Sequence, residues 1–312
     1  MNPRLAILCP GQGGQHPAMF DLLRTDARAA GFIERCRLDE LLGAPLQQVL
    51  SDPQALFANA HAQPLVVAAQ LAAWHAIADQ LRDTVGAPAV VVGYSVGELS
   101  AAAVSGVFAP HAVVPLAARR AALMDAAVQQ PQGLMAVSGL DLQLVTRCLR
   151  RHGAYVAIIN GEDAVIAGGL HPSLSAAAAE LVGQGARCSG LPVSVASHTP
   201  LLRTAQAPFA ALLAGLATAP SETTLLAGVS GQAVSDAGDV AGLLARQLVE
   251  PIQWVSCMDA CVERGIMVAL ELGPGAALSH MLRARHPTIA CRSLSDFRTL
   301  GGALAWLQRQ VD

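Results

Sequence analysis

VVVGYSVGELS, residues 90–100, sets one serine, Ser95, between two glycines directly after an apolar run. The three valines, preceded by Ala87, Pro88 and Ala89, are a continuous β-branched stretch rather than an alternating one. That is the pattern of a strand buried on both faces. Glu98 to Ala103 then read as the first turns of a helix, so Ser95 falls on a strand-to-helix turn. Gly93 and Gly97, lacking Cβ atoms, allow that turn to be sharp and the helix to lie close beside it. Such a turn pushes the hydroxyl outward and sets helix-start N–H groups nearby, where an oxyanion could be held. The pentapeptide G-x-S-x-G has the form of a nucleophile elbow; the competing reading is an ordinary turn serine.

A chain of 312 residues is long enough for one large α/β domain or two moderate ones. The uncharged stretch from Leu99 to Ala118 is interrupted by Pro110, His111 and Pro115, so no segment reads as membrane-spanning. The opening MNPRLAILCPGQ has too short an apolar run for a secretory signal, and a cytoplasmic protein is expected. The seven cysteines form no CxxC and no His/Cys cluster, as expected of small buried side chains in a reducing compartment. A net charge of −3 argues against nucleic acid as a partner. All 20 basic residues are arginine. The missing lysine excludes a Walker A lysine, a pyridoxal Schiff base and a lysine nucleophile together.

RLAILCPGQGGQ at the N-terminus reads as a strand running into a glycine turn. A dinucleotide fingerprint needs a glycine where His16 stands, and no acidic residue ends a second strand about 20 residues on. The pattern from Pro64 to Asp83 predicts a helix with Pro64 in its first turn. The elbow strand comes next, then a helix around Ala112 to Val128 carrying Arg119 and Arg120. Beyond Gln129, GLMAVSGL reads as a strand, DLQLVTRCLRRHG as a helix, AYVAIING and DAVIAGGL as two strands, HPSLSAAAAELVGQG as a helix and ARCSGLPVSVA as a last strand. That βαββαβ order is the order of a ferredoxin-like unit. The expected fold class is therefore α/β: an α/β-hydrolase-like large subdomain, residues 1–128 and 195–312, with an inserted ferredoxin-like small subdomain, residues 129–194. The large subdomain should resume with the strands TLLAGVSG, IMVALELG and TIACRSL.

A nucleophilic serine needs a base. His16, His61, His75, His111, His152 and His171 have helix or loop settings that suit surface or packing roles. His198 instead follows the apolar LPVSVAS, where the inserted unit returns to the main domain, and Thr199-Pro200 opens the next helix. A loop histidine at a domain junction lies where a cleft forms, although position alone leaves catalytic and structural roles both open. In a serine esterase or thioesterase the base comes last, which points to His280 or His286 with Asp236 or Asp239. A third reading is a carrier-binding scaffold in which Ser95 only makes a turn.

PGQGGQ at 10–15, GYSVGE at 93–98, RAALM at 120–124, LPVSVASH at 191–198, RQLVEPIQW at 246–254 and ELGPGAAL at 271–278 follow one another in that order. With these blocks the chain resembles the malonyl-CoA:acyl carrier protein transacylase family over nearly its whole length. The resemblance implies Ser95 as acyl-accepting nucleophile and His198 as its general base and acid. It implies Gln247 as the residue that orients His198 through its backbone carbonyl, in place of a hydrolase aspartate. Gln12 and Val96 become the oxyanion-hole N–H donors, and Arg120 the partner of the free malonyl carboxylate. An arginine suits that task because it meets a carboxylate with two parallel hydrogen bonds; Arg119 is expected to be solvated. The implied substrates are malonyl-CoA and the pantetheine-type thiol of an acyl carrier protein, with no permanently bound cofactor and no metal. Two positions depart from the commonest pattern: Tyr94 replaces the histidine of GHSxG, and GQGGQ replaces GQGSQ. GYSVGE with VASHTPLL looks most like the transacylase (epsilon) subunit of malonate decarboxylase, which loads that enzyme's own carrier; a fatty-acid or polyketide transacylase is the alternative. RCLRRH places Arg147, Arg150 and Arg151 near one helical face, a candidate docking patch for an acidic carrier.

Overall fold

Alternate residues of β1 (Arg4–Cys9) enter two different cores, and for that reason its sequence is an unbroken apolar run. Leu5, Ile7 and Cys9 pack on one side, Ala6 and Leu8 on the other. β2 (Val90–Gly93) divides in the same way, Val91 against Val90 and Val92, and pairs parallel to β1 with Ile7 beside Val91. The remaining strands are β3 (Gln132–Ser138), β4 (Tyr155–Ile159), β5 (Ala164–Leu170), β6 (Arg187–Gly190), β7 (Thr224–Leu226), β8 (Ile266–Glu271) and β9 (Ala290–Ser293). They complete a five-stranded parallel sheet, ordered β7-β2-β1-β8-β9, and a four-stranded antiparallel sheet, ordered β4-β5-β3-β6. The structure, a computed structural model, describes residues 4–234 and 236–311. The outermost ends of the expected large subdomain, residues 1–3 and 312, lie outside the described residues.

One face of the parallel sheet is covered by the helices Asn59–Thr84, Gly97–Val104 and Pro110–Ala126. The other meets the helices Trp254–Glu263 and Ala277–Arg285, together with Leu134, Ile158 and Ile166 of the antiparallel sheet. The far face of the antiparallel sheet is closed by its own helices, Leu142–Arg151 and His171–Gly183, over Met135, Val137, Val145 and Leu181. The elements from β3 to β6 run strand, helix, strand, strand, helix, strand. Backbone bonds also tie this unit to the parallel sheet's side: Ile159 N–H donates to the Ile252 carbonyl at 2.8 Å, and Ile252 N–H to the Ala157 carbonyl at 3.0 Å.

Three expectations need correction. The helix expected from Pro64 begins at Asn59, so Pro64 lies inside it. Its first turn is held by tertiary contacts that local propensity does not carry: Asn59 Nδ2 donates to the Ala121 carbonyl at 3.2 Å and to Asp125 at 2.8 Å, and Gln63 Nε2 to Asn59 Oδ1 at 2.6 Å. The helix expected around Ala112 to Val128 runs from Pro110 to Ala126 and passes through Pro115. The last strand of the inserted unit stops at Gly190 instead of continuing through LPVSVA. One further ladder bond, Leu191 N–H to the Leu134 carbonyl at 2.9 Å, precedes Pro192, which has no N–H to extend the pairing. His198 is thus approached by irregular chain.

The turn after β2 is as tight as the glycines allow. A Cβ on Gly97 would fall against the Cys9 and Pro10 carbonyls of the neighbouring strand, and one on Gly93 against the backbone of Glu98. Between them Ser95 has φ of 56°, the left-handed region that side-chain-bearing residues adopt at a cost. Gly97→Ala should lower the unfolding free energy in urea by about 2 to 3 kcal/mol, because backbone rather than a flexible side chain must move. Gly183→Ala, in a helix with open space around the added methyl, should leave stability level or raise it slightly.

Candidate active site

The Asp239–Gln247 helix ends at a carbonyl that has no partner within the helix, and the imidazole of His198 takes it. His198 Nδ1 lies 2.6 Å from the Gln247 backbone oxygen, and the His198 N–H donates to the next carbonyl, Leu248, at 2.9 Å. These bonds hold His198 at φ of 62°, the same uncommon region as Ser95. Because Nδ1 faces a carbonyl, that nitrogen carries the proton and Nε2 is left as the acceptor. Nε2 lies 2.8 Å from Ser95 Oγ. Burial, then the charge of Arg120, pushes His198 down to about 3, against the pull of the Gln247 carbonyl. The imidazole is accordingly neutral around pH 7 and able to accept a proton.

The side chain of Gln247 extends the same arrangement. Its Nε2 donates to the Ser95 carbonyl at 3.1 Å and to the Glu98 carboxylate, and its Oε1 accepts from Arg120 at 3.1 Å. A second amide oxygen, Gln63 Oε1, accepts from Arg120 at 2.7 Å. Arg120 is 2% exposed, and burial lowers its guanidinium to about 10, with Glu98 opposing, so it stays charged at neutral pH. Arg119, one position earlier, faces solvent as expected.

Ser95, His198, Arg120 and Gln12 face one cavity of 340 Å³, whose opposite wall is apolar and comes from the antiparallel unit through Leu134, Ile158 and Ile166. The glycine loop after β1 lies directly over the serine: a Cβ on Gly11 would sit 3.5 Å from Ser95 Cβ. Val96 is buried at the start of the Gly97–Val104 helix. Neither the Gln12 nor the Val96 N–H donates to another described residue. The acyl transferase domain family matches residues 7–293.

The chain belongs to the acyl transferase domain family. It is an acyltransferase. It is 31% identical over 293 residues to a malonyl CoA-acyl carrier protein transacylase of Mycobacterium tuberculosis, covering 94% of this chain and 96% of that one. The crystal structure of the transacylase from Mycobacterium tuberculosis superposes with a TM-score of 0.89 at 30% identity, covering 98% of this chain and 99% of the other. A type II polyketide acyl-carrier protein in complex with its malonyl-transacylase matches with a TM-score of 0.89 at 26% identity, over 97% of this chain and 99% of that one. These likenesses place the mixed α/β fold with the transacylase structures.

Other sequence candidates in the acyltransferase lie elsewhere. His286 Nε2 is 2.8 Å from Asp259, which also takes Arg285, and His280 is exposed. Asp236 bonds the Gly238 N–H and Asp239 opens the Asp239–Gln247 helix; none of the four lines the cavity. Cys257 and Cys261 are buried in one helix. Cys148, His152 and Glu180 do converge, contrary to the expectation of no His/Cys cluster, but there Glu180 is engaged by both Arg151 and His152. Sequence reading missed Asn59 and Gln63, because the helix start was misplaced, and gave Glu98 no part. Asn59 and Gln63 stand four apart as polar residues in an apolar helical stretch, and that spacing was the available signal. With His198→Ala, acylation of the enzyme should fall by about 10² to 10⁴-fold, while His280→Ala and His286→Ala should retain most of it, measured by trapping labelled acyl-enzyme.

Proposed function

We propose that this acyltransferase moves malonyl from malonyl-CoA to the pantetheine thiol of an acyl carrier protein through an ester on Ser95, with no resident cofactor. The observation that carries the reading is Arg120. A buried guanidinium facing the cavity is bonded to two neutral amide oxygens, and no carboxylate contacts it among the described residues. Glu98 acts on that buried charge without touching it, and the distal carboxylate of malonyl supplies a contact partner through two parallel hydrogen bonds. Likeness to malonyl transacylases over nearly the whole chain supports the same reading.

In this reading His198 Nε2 takes the Ser95 proton as Oγ attacks the thioester carbonyl, and the oxyanion accepts the N–H groups of Gln12 and Val96. Collapse breaks the carbon–sulfur bond, and the proton passes from Nε2 to the departing CoA thiolate. The carrier thiol then gives its proton to Nε2 and attacks the ester, and Nε2 passes that proton to Ser95 Oγ as the acyl group leaves on the carrier sulfur. The serine ester splits an encounter between two bulky carriers into two steps, so only one carrier is bound at a time. An incoming carboxylate also offsets the Arg120 charge that holds His198 down, which makes the base stronger when malonyl is bound.

We read residues 1–128 and 195–312 as an α/β-hydrolase-like large subdomain, and 129–194 as a ferredoxin-like insertion whose apolar face walls the cavity. No helix among the described residues is long and apolar enough to cross a membrane; the reading includes a cytoplasmic location. The relatives support a fatty-acid or polyketide transacylase better than the malonate decarboxylase subunit, and we adopt the former. The narrower alternative rests on GYSVGE with VASHTPLL; Tyr94 of the first block leans edge-on against Trp254 and donates to Asn160 Oδ1 at 3.3 Å. Malonyl-enzyme should discharge to a carrier bearing ordinary phosphopantetheine; discharge only to a malonate decarboxylase carrier would restore the alternative. The three candidate docking arginines, Arg147, Arg150 and Arg151, are all exposed, and Arg151 is paired with Glu180.

Arg120→Ala should lower malonyl loading by about two to three orders of magnitude, taking a loss of about 2 to 5 kcal/mol for one partner of a desolvated charge pair. The preference for malonyl over acetyl should narrow or invert. Arg119→Ala should do neither. Equal loss of malonyl and acetyl loading on Arg120→Ala would make Arg120 structural, and release of free malonate in place of transfer would mark a hydrolase.

A further inference from the structure

Glu98 is the second residue of the helix that follows Ser95, and it is 3% exposed. Both groups in hydrogen-bond contact with its carboxylate are donors: the Gly228 N–H at 3.0 Å and the Gln247 side-chain amide. That amide is asymmetric. Turned over, its oxygen would meet the Ser95 carbonyl and the Glu98 carboxylate, and its NH2 group would meet the Arg120 guanidinium. Acceptors would then face acceptors and donors donors, inside a region where an unmade bond is expensive. The Ser95 carbonyl contributes one neutral acceptor to this choice; Glu98 contributes a charged one, about twice as strong.

We propose that Glu98 is a positioning residue for acyl selectivity: as an ionised, acceptor-only carboxylate it fixes which way the Gln247 amide faces, and through that amide it aims Arg120 at the carboxylate of the acyl group. The proposal rests on the malonyl reading of Arg120. Arg120 from the Pro110–Ala126 helix and the Cys257 thiol from the Trp254–Glu263 helix are the titratable groups facing Glu98; Gln247 and Gly228 are neutral. Desolvation carries the Glu98 carboxyl up to about 7, while the Gly228 and Gln247 donors and Arg120 pull it back. A protonated Glu98 would set its one O–H against one of the two donors and lose the charge that strengthens its hold on the amide. The aim is therefore held above that range and lost below it, so preference for malonyl grows as pH rises through about 7. His198, pushed down to about 3, does not titrate there. Glu271 also rises to about 7, but its carboxylate takes the Leu278 and Ser279 N–H groups at 3.2 and 2.7 Å and touches neither Gln247 nor Arg120.

The test is quenched-flow loading of Ser95 with malonyl-CoA and with acetyl-CoA across about pH 5.5 to 9, read as the ratio of the two rates. The wild-type ratio should rise about tenfold through pH 7, the equivalent of one charge-assisted hydrogen bond in the site. Glu98→Gln, which sets an NH2 group against one of two donors, should give a low ratio that is flat with pH, and Glu271→Gln should follow the wild type. A flat wild-type ratio, or Glu98→Gln with the wild-type ratio and slope, overturns the proposal. If Glu98→Gln does not fold, the wild type and Arg120→Ala decide: the slope must be present in the first and absent from the second. The malonyl reading fails separately, if Arg120→Ala leaves the ratio unchanged; a ratio that drops with Arg120→Ala but not with Glu98→Gln sinks the Glu98 proposal alone.

Discussion

Gln247 is bonded in three directions, and the geometry of the cavity depends on all three. Its backbone oxygen holds the imidazole of His198 at 2.6 Å, its amide nitrogen holds the carbonyl of Ser95 at 3.1 Å, and its amide oxygen holds Arg120 at 3.1 Å. One residue at the end of one helix thus ties the serine, the histidine and the arginine to a common frame. A neutral carbonyl here takes the place that a carboxylate holds in a Ser-His-Asp arrangement. It orients the ring without adding negative charge, so burial and Arg120 are free to keep the imidazole neutral.

The two sheets contribute different things. The parallel sheet provides the sharp turn, because β2 ends beside β1 and only glycines fit where the following helix passes the Cys9 and Pro10 carbonyls. The antiparallel sheet provides an apolar wall, because its two central strands alternate: Met135, Val137, Val165 and Ala167 enter the unit's own core, and Leu134 and Ile166 face the serine side. The cavity thus has one polar, hydrogen-bonded side that carries the Arg120 charge and one apolar side. The bonds between β4 and Ile252 keep the wall in register with the floor.

Much of this was legible in the chain. The continuous valines, the flanking glycines and the alanine-rich helix start identify the strand, the turn and the exposed hydroxyl, because these depend on local sterics and on burial of both faces. The alternation of strand and helix patterns between 129 and 194 is local in the same sense. Boundaries were less legible where tertiary contacts overrode propensity. The first turn of the Asn59–Thr84 helix exists because Asn59 finds the Ala121 carbonyl and Asp125, 62 and 66 residues away. The irregular approach to His198 follows from a proline that ends a ladder at the sheet's edge.

By itself the sequence determined that a serine would stand on a strained turn between a buried strand and a helix, that no lysine chemistry was available, and that His198 would return near a junction. The Gln247 carbonyl beside His198 was implied by the family resemblance; only the tertiary structure decided that Gln63 and Gln247 are the partners of Arg120 and that Glu98 lies behind them. The reason is physical: turns and strands are set by neighbours in the chain, whereas a hydrogen bond between Ser95 and Gln247, 152 residues apart, exists only once two packed cores have brought both to one place.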